Sequence, residues 1–98
     1  QADFDRKVQE RQAAEQVRIR RLEALAQREP ETWQQVMTLI EQKQAKAYDE
    51  AVKLLVELRD LAQHRGEIVQ FEARMSAIQE RHAKSRTLLE RLRKARLL

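Results

Sequence analysis

The stretch Ala47-Tyr-Asp-Glu-Ala-Val-Lys-Leu-Leu-Val-Glu-Leu-Arg-Asp-Leu-Ala-Gln-His-Arg-Gly66-Glu-Ile-Val-Gln-Phe-Glu-Ala-Arg-Met-Ser-Ala-Ile-Gln-Glu-Arg-His-Ala-Lys84 decides the fold. Before Gly66, apolar residues recur at Ala47, Ala51, Leu54, Leu55, Leu58, Leu61 and Ala62; after it they recur at Ile68, Phe71, Met75 and Ile78. Steps of three and four place side chains on one face of a helix. Each face is too apolar to stay wet, and the connection His64-Arg65-Gly66-Glu67 is short. Gly66 accepts the left-handed backbone that ends a helix and reverses the chain. The expectation is an antiparallel αα-hairpin, with helices over about Ala47–His64 and Glu67–Ala83. Val52 and Val56 widen the first stripe beyond one face, which predicts a middle position with neighbours on two sides. Asp49 and Lys53 have the spacing of an outward i,i+4 ion pair.

Working outward, Ser85 has the chemistry of an N-cap for a last short helix bearing Leu88, Leu89, Leu92 and Ala95. Toward the N-terminus, residues 42–47 (Gln-Lys-Gln-Ala-Lys-Ala) lack any breaker, and positions 33, 40, 47, 54 and 61 stay in step across them. A helix running unbroken from Pro30 to Arg65 would nevertheless exceed the usual globular length, so the polar run predicts a tight connection near Gln44. Pro30 suits a first helical turn and disfavours helix just before it. One helix therefore ends near Arg28, and the next carries Trp33, Val36, Met37, Leu39 and Ile40. Trp33, the single tryptophan, reads as core packing between helices. Residues 2–28 form a long helix rich in Gln, Glu, Arg and Ala, opened by Asp3 or Asp5. Its apolar stripe is thin at Phe4, Val8, Ala14 and Val17 and thickens at Leu22, Leu25 and Ala26. The first half is expected to project, fray or pair with another chain. Its leading reading is a charged connector helix from a preceding domain, because the a/d spacing of a coiled-coil arm is not sustained over three to four heptads. The sum is an all-α fold of about five helices: a charged arm over 1–28 and a helical hairpin domain over 29–98, arranged as antiparallel αα-hairpins in a repeat-like stack.

Composition agrees. A chain of 98 residues with 42% apolar and 37% charged side chains, one Gly and one Pro suits helices with short connections and excludes most β architectures. There is no Cys, hence no disulfide framework and no thiolate metal site. No apolar run approaches the roughly 18–20 residues of a membrane span. Opening on Gln1 instead of Met, the chain reads as cut from something longer, with the cytoplasm as its expected location.

The net charge is +4, unevenly placed. Residues 81–98 hold seven cations (Arg81, Lys84, Arg86, Arg91, Arg93, Lys94 and Arg96) against Glu90 alone, a net +6, so residues 1–80 carry −2. These seven are the candidate nucleic-acid contacts, by phosphate attraction. The blander reading is a solvated basic face at a helix C-terminus, favoured by the macrodipole. No aromatic base-stacking partner sits beside them.

Catalytic and metal chemistry finds little support. Glu57, Asp60 and His64 share a helix face, but Asp60 and His64 read better as an i,i+4 pair at a helix end. Neither Glu-x-x-His nor HExxH occurs. His82 continues the stripe Ile68, Phe71, Met75 and Ile78 and reads as a packed or capping histidine. Ser76 and Ser85 lack an activating base, and no Gly-rich phosphate loop exists. No catalytic, cofactor or metal residue is assigned, and the segment is read as non-enzymatic.

Arg21-Leu-Glu-Ala-Leu-Ala-Gln-Arg-Glu29, Trp33-Gln-Gln-Val36 and the run Ala47–Ala62 carry a resemblance, with Phe71-Glu-Ala-Arg74, Arg81-His-Ala-Lys-Ser85 and Leu88-Leu-Glu-Arg-Leu92 closing it. Over residues 20–96 this wording resembles the C-terminal helical region of bacterial SWIM-type zinc-finger proteins. That family holds zinc with a Cys-x-Cys…Cys-x-His motif; with no cysteine here, no ligand is carried over. The resemblance implies a helical domain following the finger, in a protein that binds nucleic acid or protein. In shape the hairpin is similar to tetratricopeptide repeats, without their Trp-Leu-Gly-Tyr set or a second copy at a 34-residue period. The expected function is an interaction or scaffold module with a protein partner, dimerisation through residues 1–28 being one form of it. The alternative is an accessory nucleic-acid binder using the basic end.

Overall fold

Residue 66 turns the chain as its type allows. Gly66 has φ 68° and ψ 29°; its N–H donates to the Gln63 carbonyl at 3.3 Å and that of Glu67 to the Ala62 carbonyl at 2.7 Å. This pair of bonds satisfies the last carbonyls of one helix before the next begins. The computed structural model describes residues 2–98, and among them it is all helical: α1 Ala2–Gln27, α2 Glu29–Glu41, α3 Ala45–Arg65, α4 Ile68–Arg81 and α5 Arg86–Lys94. No described residue lies in a strand.

Each joint has a local cause. Pro30 occupies the first turn of α2, and the buried Thr32 hydroxyl donates to the Arg28 carbonyl at 2.9 Å. The chain does turn at Gln44, between α2 and α3. Lys43 takes a left-handed φ of 55° there, and its N–H donates to the Ile40 carbonyl at 3.2 Å. A second non-glycine in that region, Arg96 (φ 61°), ends α5 as Gly66 ends α3: its N–H meets the Arg93 carbonyl and that of Leu97 meets the Leu92 carbonyl, both at 2.9 Å. Leu97 is thereby folded into the core.

The directions of the helices follow from their end-to-end contacts. Arg65, closing α3, grips Glu29, opening α2, with both carboxylate oxygens at 2.9 Å. Those two helices are antiparallel. Tyr48 at the start of α3 shares a hydrogen bond of 3.3 Å with Ser85, just past α4, so α4 also runs against α3. Asp49 meets Arg91, and Arg59 meets the Ala95 and Arg96 carbonyls, so α5 runs the same way as α3. The expected α3–α4 hairpin is present, α2 and α3 form a second antiparallel pair, and α3 packs against each of the other four helices. Its buried set (Ala47, Tyr48, Ala51, Leu55, Leu58, Leu61, Ala62) is the axis of a core completed by Leu22, Trp33, Val36, Ile40, Phe71, Met75, Ile78, Leu88 and Leu92.

Only the last part of α1 joins that core. Leu22 and Leu25 are buried and Arg18 and Ile19 half-buried, whereas Phe4 is 69% and Val17 63% exposed. The division between arm and packed body therefore falls inside α1. A helix of 26 residues is about 39 Å long, which accounts for extents of 56 × 24 × 22 Å. The radius of gyration is 16.3 Å, against about 12.6 Å for a compact chain of this length.

Candidate functional site

The seven cations of the basic end do not form one patch. Arg91 is tied inward: its Nε donates to Asp49 Oδ1 at 2.7 Å and its Nη1 to the Thr87 carbonyl at 3.3 Å. The expected Asp49–Lys53 pair gives way to this tertiary contact, because a guanidinium held on a neighbouring helix outcompetes a flexible ammonium on the same one. Arg81 lies 3.8 Å from Glu41, both well exposed, a loose pair of little energetic weight. Lys84, Arg86, Arg93, Lys94 and Arg96 are exposed and enter no ion pair among the described residues. They fall at opposite ends of α5, which is nine residues and about 13 Å long. Arg81 and Lys84 line one hollow with Lys43, Tyr48, His82 and Ser85. Arg93 and Arg96 border another cleft with Arg59, Glu72 and Met75.

Lys43 and Arg59 were not legible as partners of this end. Arg59 Nη1 donates to the carbonyls of Ala95 at 3.1 Å and Arg96 at 3.3 Å, neutralising the negative end of α5. Nothing local in sequence marks it; 36 residues separate Arg59 from Ala95. Ser85 stands at the N-cap position of α5, yet its side chain makes no capping bond and pairs with Tyr48 instead. His64 is exposed and forms no ion pair with Asp60 among the described residues. The end of α3 is held by Arg65, which also lies 3.0 Å from Glu67. Its guanidinium pKa is raised, chiefly by the hydrogen bond to Glu29, with burial opposing.

His82 caps α4, its N–H donating to the Ile78 carbonyl at 3.0 Å. Burial pushes its pKa below the usual histidine value, assisted by Arg81 and Lys43 and opposed by Glu41. Trp33 is buried against Phe71 of α4, ring centroids 5.9 Å apart and tilted by 44°. The Arg74 guanidinium lies over the indole ring, 4.7 Å from its centroid, a cation–π contact. Among the described residues, no three His, Cys, Asp or Glu side chains converge as for a metal, and no buried side-chain polar atom lacks a partner. Among the described residues, no helix is long and apolar enough to cross a membrane. Compared with protein-family models, with curated proteins and with solved structures, the chain matches none.

Proposed function

We propose that this chain is a non-catalytic helical interaction module of a larger bacterial protein of the cytoplasm, and that the projecting half of α1 is its protein-binding element. The observation that carries the reading is the contrast along α1. Leu22 and Leu25 are sealed into the body, while Phe4 and Val17 on the same helix stand in water. An exposed phenylalanine on a long, charged, unsupported helix fits a surface that a partner covers. The resemblance to SWIM-type zinc-finger proteins belongs to this proposal: the module then follows a finger in the parent chain, and an upstream Cys-x-Cys…Cys-x-His array is its check.

A photo-crosslinking residue at position 4, compared with one at the exposed Glu50 on the body, tests the reading in the cell. Protein adducts concentrated at position 4 support it; equal adducts at both positions, or none, reject it.

One observation favours the second reading, an accessory nucleic-acid contact: five of the seven C-terminal cations have no internal ion pair among the described residues. Retention of RNA or DNA that weakens steeply with salt would support it, since phosphate contacts release counterions. No retention at low salt removes it for this segment.

A further inference from the structure

The strip of α1 that enters the core continues, uncovered, toward its N-terminus. Phe4 stands about five turns before Leu22, on the same helical line. Val8, Arg11, Glu15 and Arg18 fill the line between them. Phe4, Arg11 and Glu15 are exposed, and none of them meets another helix of this chain in the body.

We propose that this line is an interface with a second copy of the chain, the two α1 arms lying antiparallel about a two-fold axis near Ala14. The inference rests on the interaction reading above and names its partner. The charges decide the orientation. A parallel pair sets Arg11 against Arg11, Glu15 against Glu15 and Arg18 against Arg18, three like-charged layers in succession. An antiparallel pair in the register that brings Phe4 to the rim of the second copy's body, where Leu22 is already covered by its own core, sets Arg11 against Glu15, and symmetry makes that contact twice. Glu15 already accepts from Arg18 of its own helix at 3.2 Å through Oε1, which leaves Oε2 for Arg11 of the other copy. Val8 then lies along the aliphatic stem of Arg18. Phe4 reaches the edge of the other copy's core, beside half-buried Ile19 and Ala26. Ala14 flanks the line at the axis, where a small side chain lets the helices approach. Lys7 and Arg21 face each other on that flank, and their exposed ends splay into water at little cost. Each copy contributes only two apolar residues, so the assembly is weak, well short of obligate dimers.

Sedimentation velocity of the 98-residue chain, from low micromolar to near-millimolar concentration, tests it. The expected result is a concentration-dependent dimer. Glu15→Arg raises its dissociation constant at least about tenfold, and adding Arg11→Glu to that variant restores it. Both variants should keep the melting temperature of the dilute wild-type protein, because neither position touches the core. Ala14→Cys, in a chain with no other cysteine, should form an interchain disulfide on oxidation. A monomer at every concentration, or a dimer indifferent to Glu15→Arg, overturns the proposal. A monomer whose position-4 crosslinker still captures other proteins removes the second copy and leaves the interaction reading standing. Absence of any protein adduct removes both.

Discussion

Arg91 Nε donates to Asp49 Oδ1 at 2.7 Å, pinning the last helix to the first turns of the central one. A cation that the charge count assigns to an outward basic end is thereby half-occupied by the fold. Asp49→Asn removes the neutralising charge while keeping the shape. The pair is partly exposed, so unfolding free energy should change by less than about 1 kcal/mol. If the basic end touches phosphates, the slope of log affinity against log salt should steepen by about one, read by anisotropy of a labelled RNA across a salt series. An unchanged slope places Arg91 outside any such contact.

Leu58 is 1% exposed on the helix that touches all others. Leu58→Ala should destabilise by about 2–5 kcal/mol, through lost burial and the cavity left behind. Lys7→Ala, on the exposed arm, should stay within about 0.5 kcal/mol in dilute protein. Thermal melts of the two variants give the comparison, and an unchanged Leu58→Ala melt contradicts the packing described.

Gly66 and Arg96 occupy the same left-handed region with the same pair of closing bonds, yet only one of them is glycine. A Cβ at position 66 would meet nothing within 4 Å. Gly66→Ala therefore adds left-handed backbone strain without a clash, a loss of about 1 kcal/mol after the opposing gain in unfolded-state entropy. Arg96→Gly relieves the same strain and should fall between no change and a gain of about 1 kcal/mol, offset by unfolded-state entropy. Urea midpoints at constant slope distinguish the two signs.

His82 is held below its usual pKa by burial and by Arg81. The unfolded chain therefore takes up a proton at about pH 6.5 that the folded one resists, so stability falls as pH drops below that value and levels off once folded His82 also protonates. His82→Gln should flatten this part of the curve. Urea unfolding at steps between about pH 5 and pH 7.5 gives the slope of each protein.

The five helices were legible because periodicity and a few punctuating residues report on local forces. Gly66 and Pro30 each forced a break that the structure shows. The turn at Gln44 was harder: its left-handed residue is a lysine, so only polarity and helix length pointed to it. Ser85 was recognisable as a helix-starting residue, but the destination of its hydroxyl was not, because Tyr48 lies 37 positions away. Asp49 shows the same limit, with a partner on its own helix suggested by spacing and another 42 positions on chosen by the fold.

Sequence alone determined the helical class, the reversals and the uneven oiliness of the first helix, since each depends on residues within a turn or two of one another. Tertiary structure alone decided that α3 is the hub, that Arg59 closes the end of α5, and that the basic residues divide between two ends. Those outcomes depend on which long side chains meet once the core has closed. Charges separated by dozens of positions carry no mark of each other until packing brings them within a few ångströms.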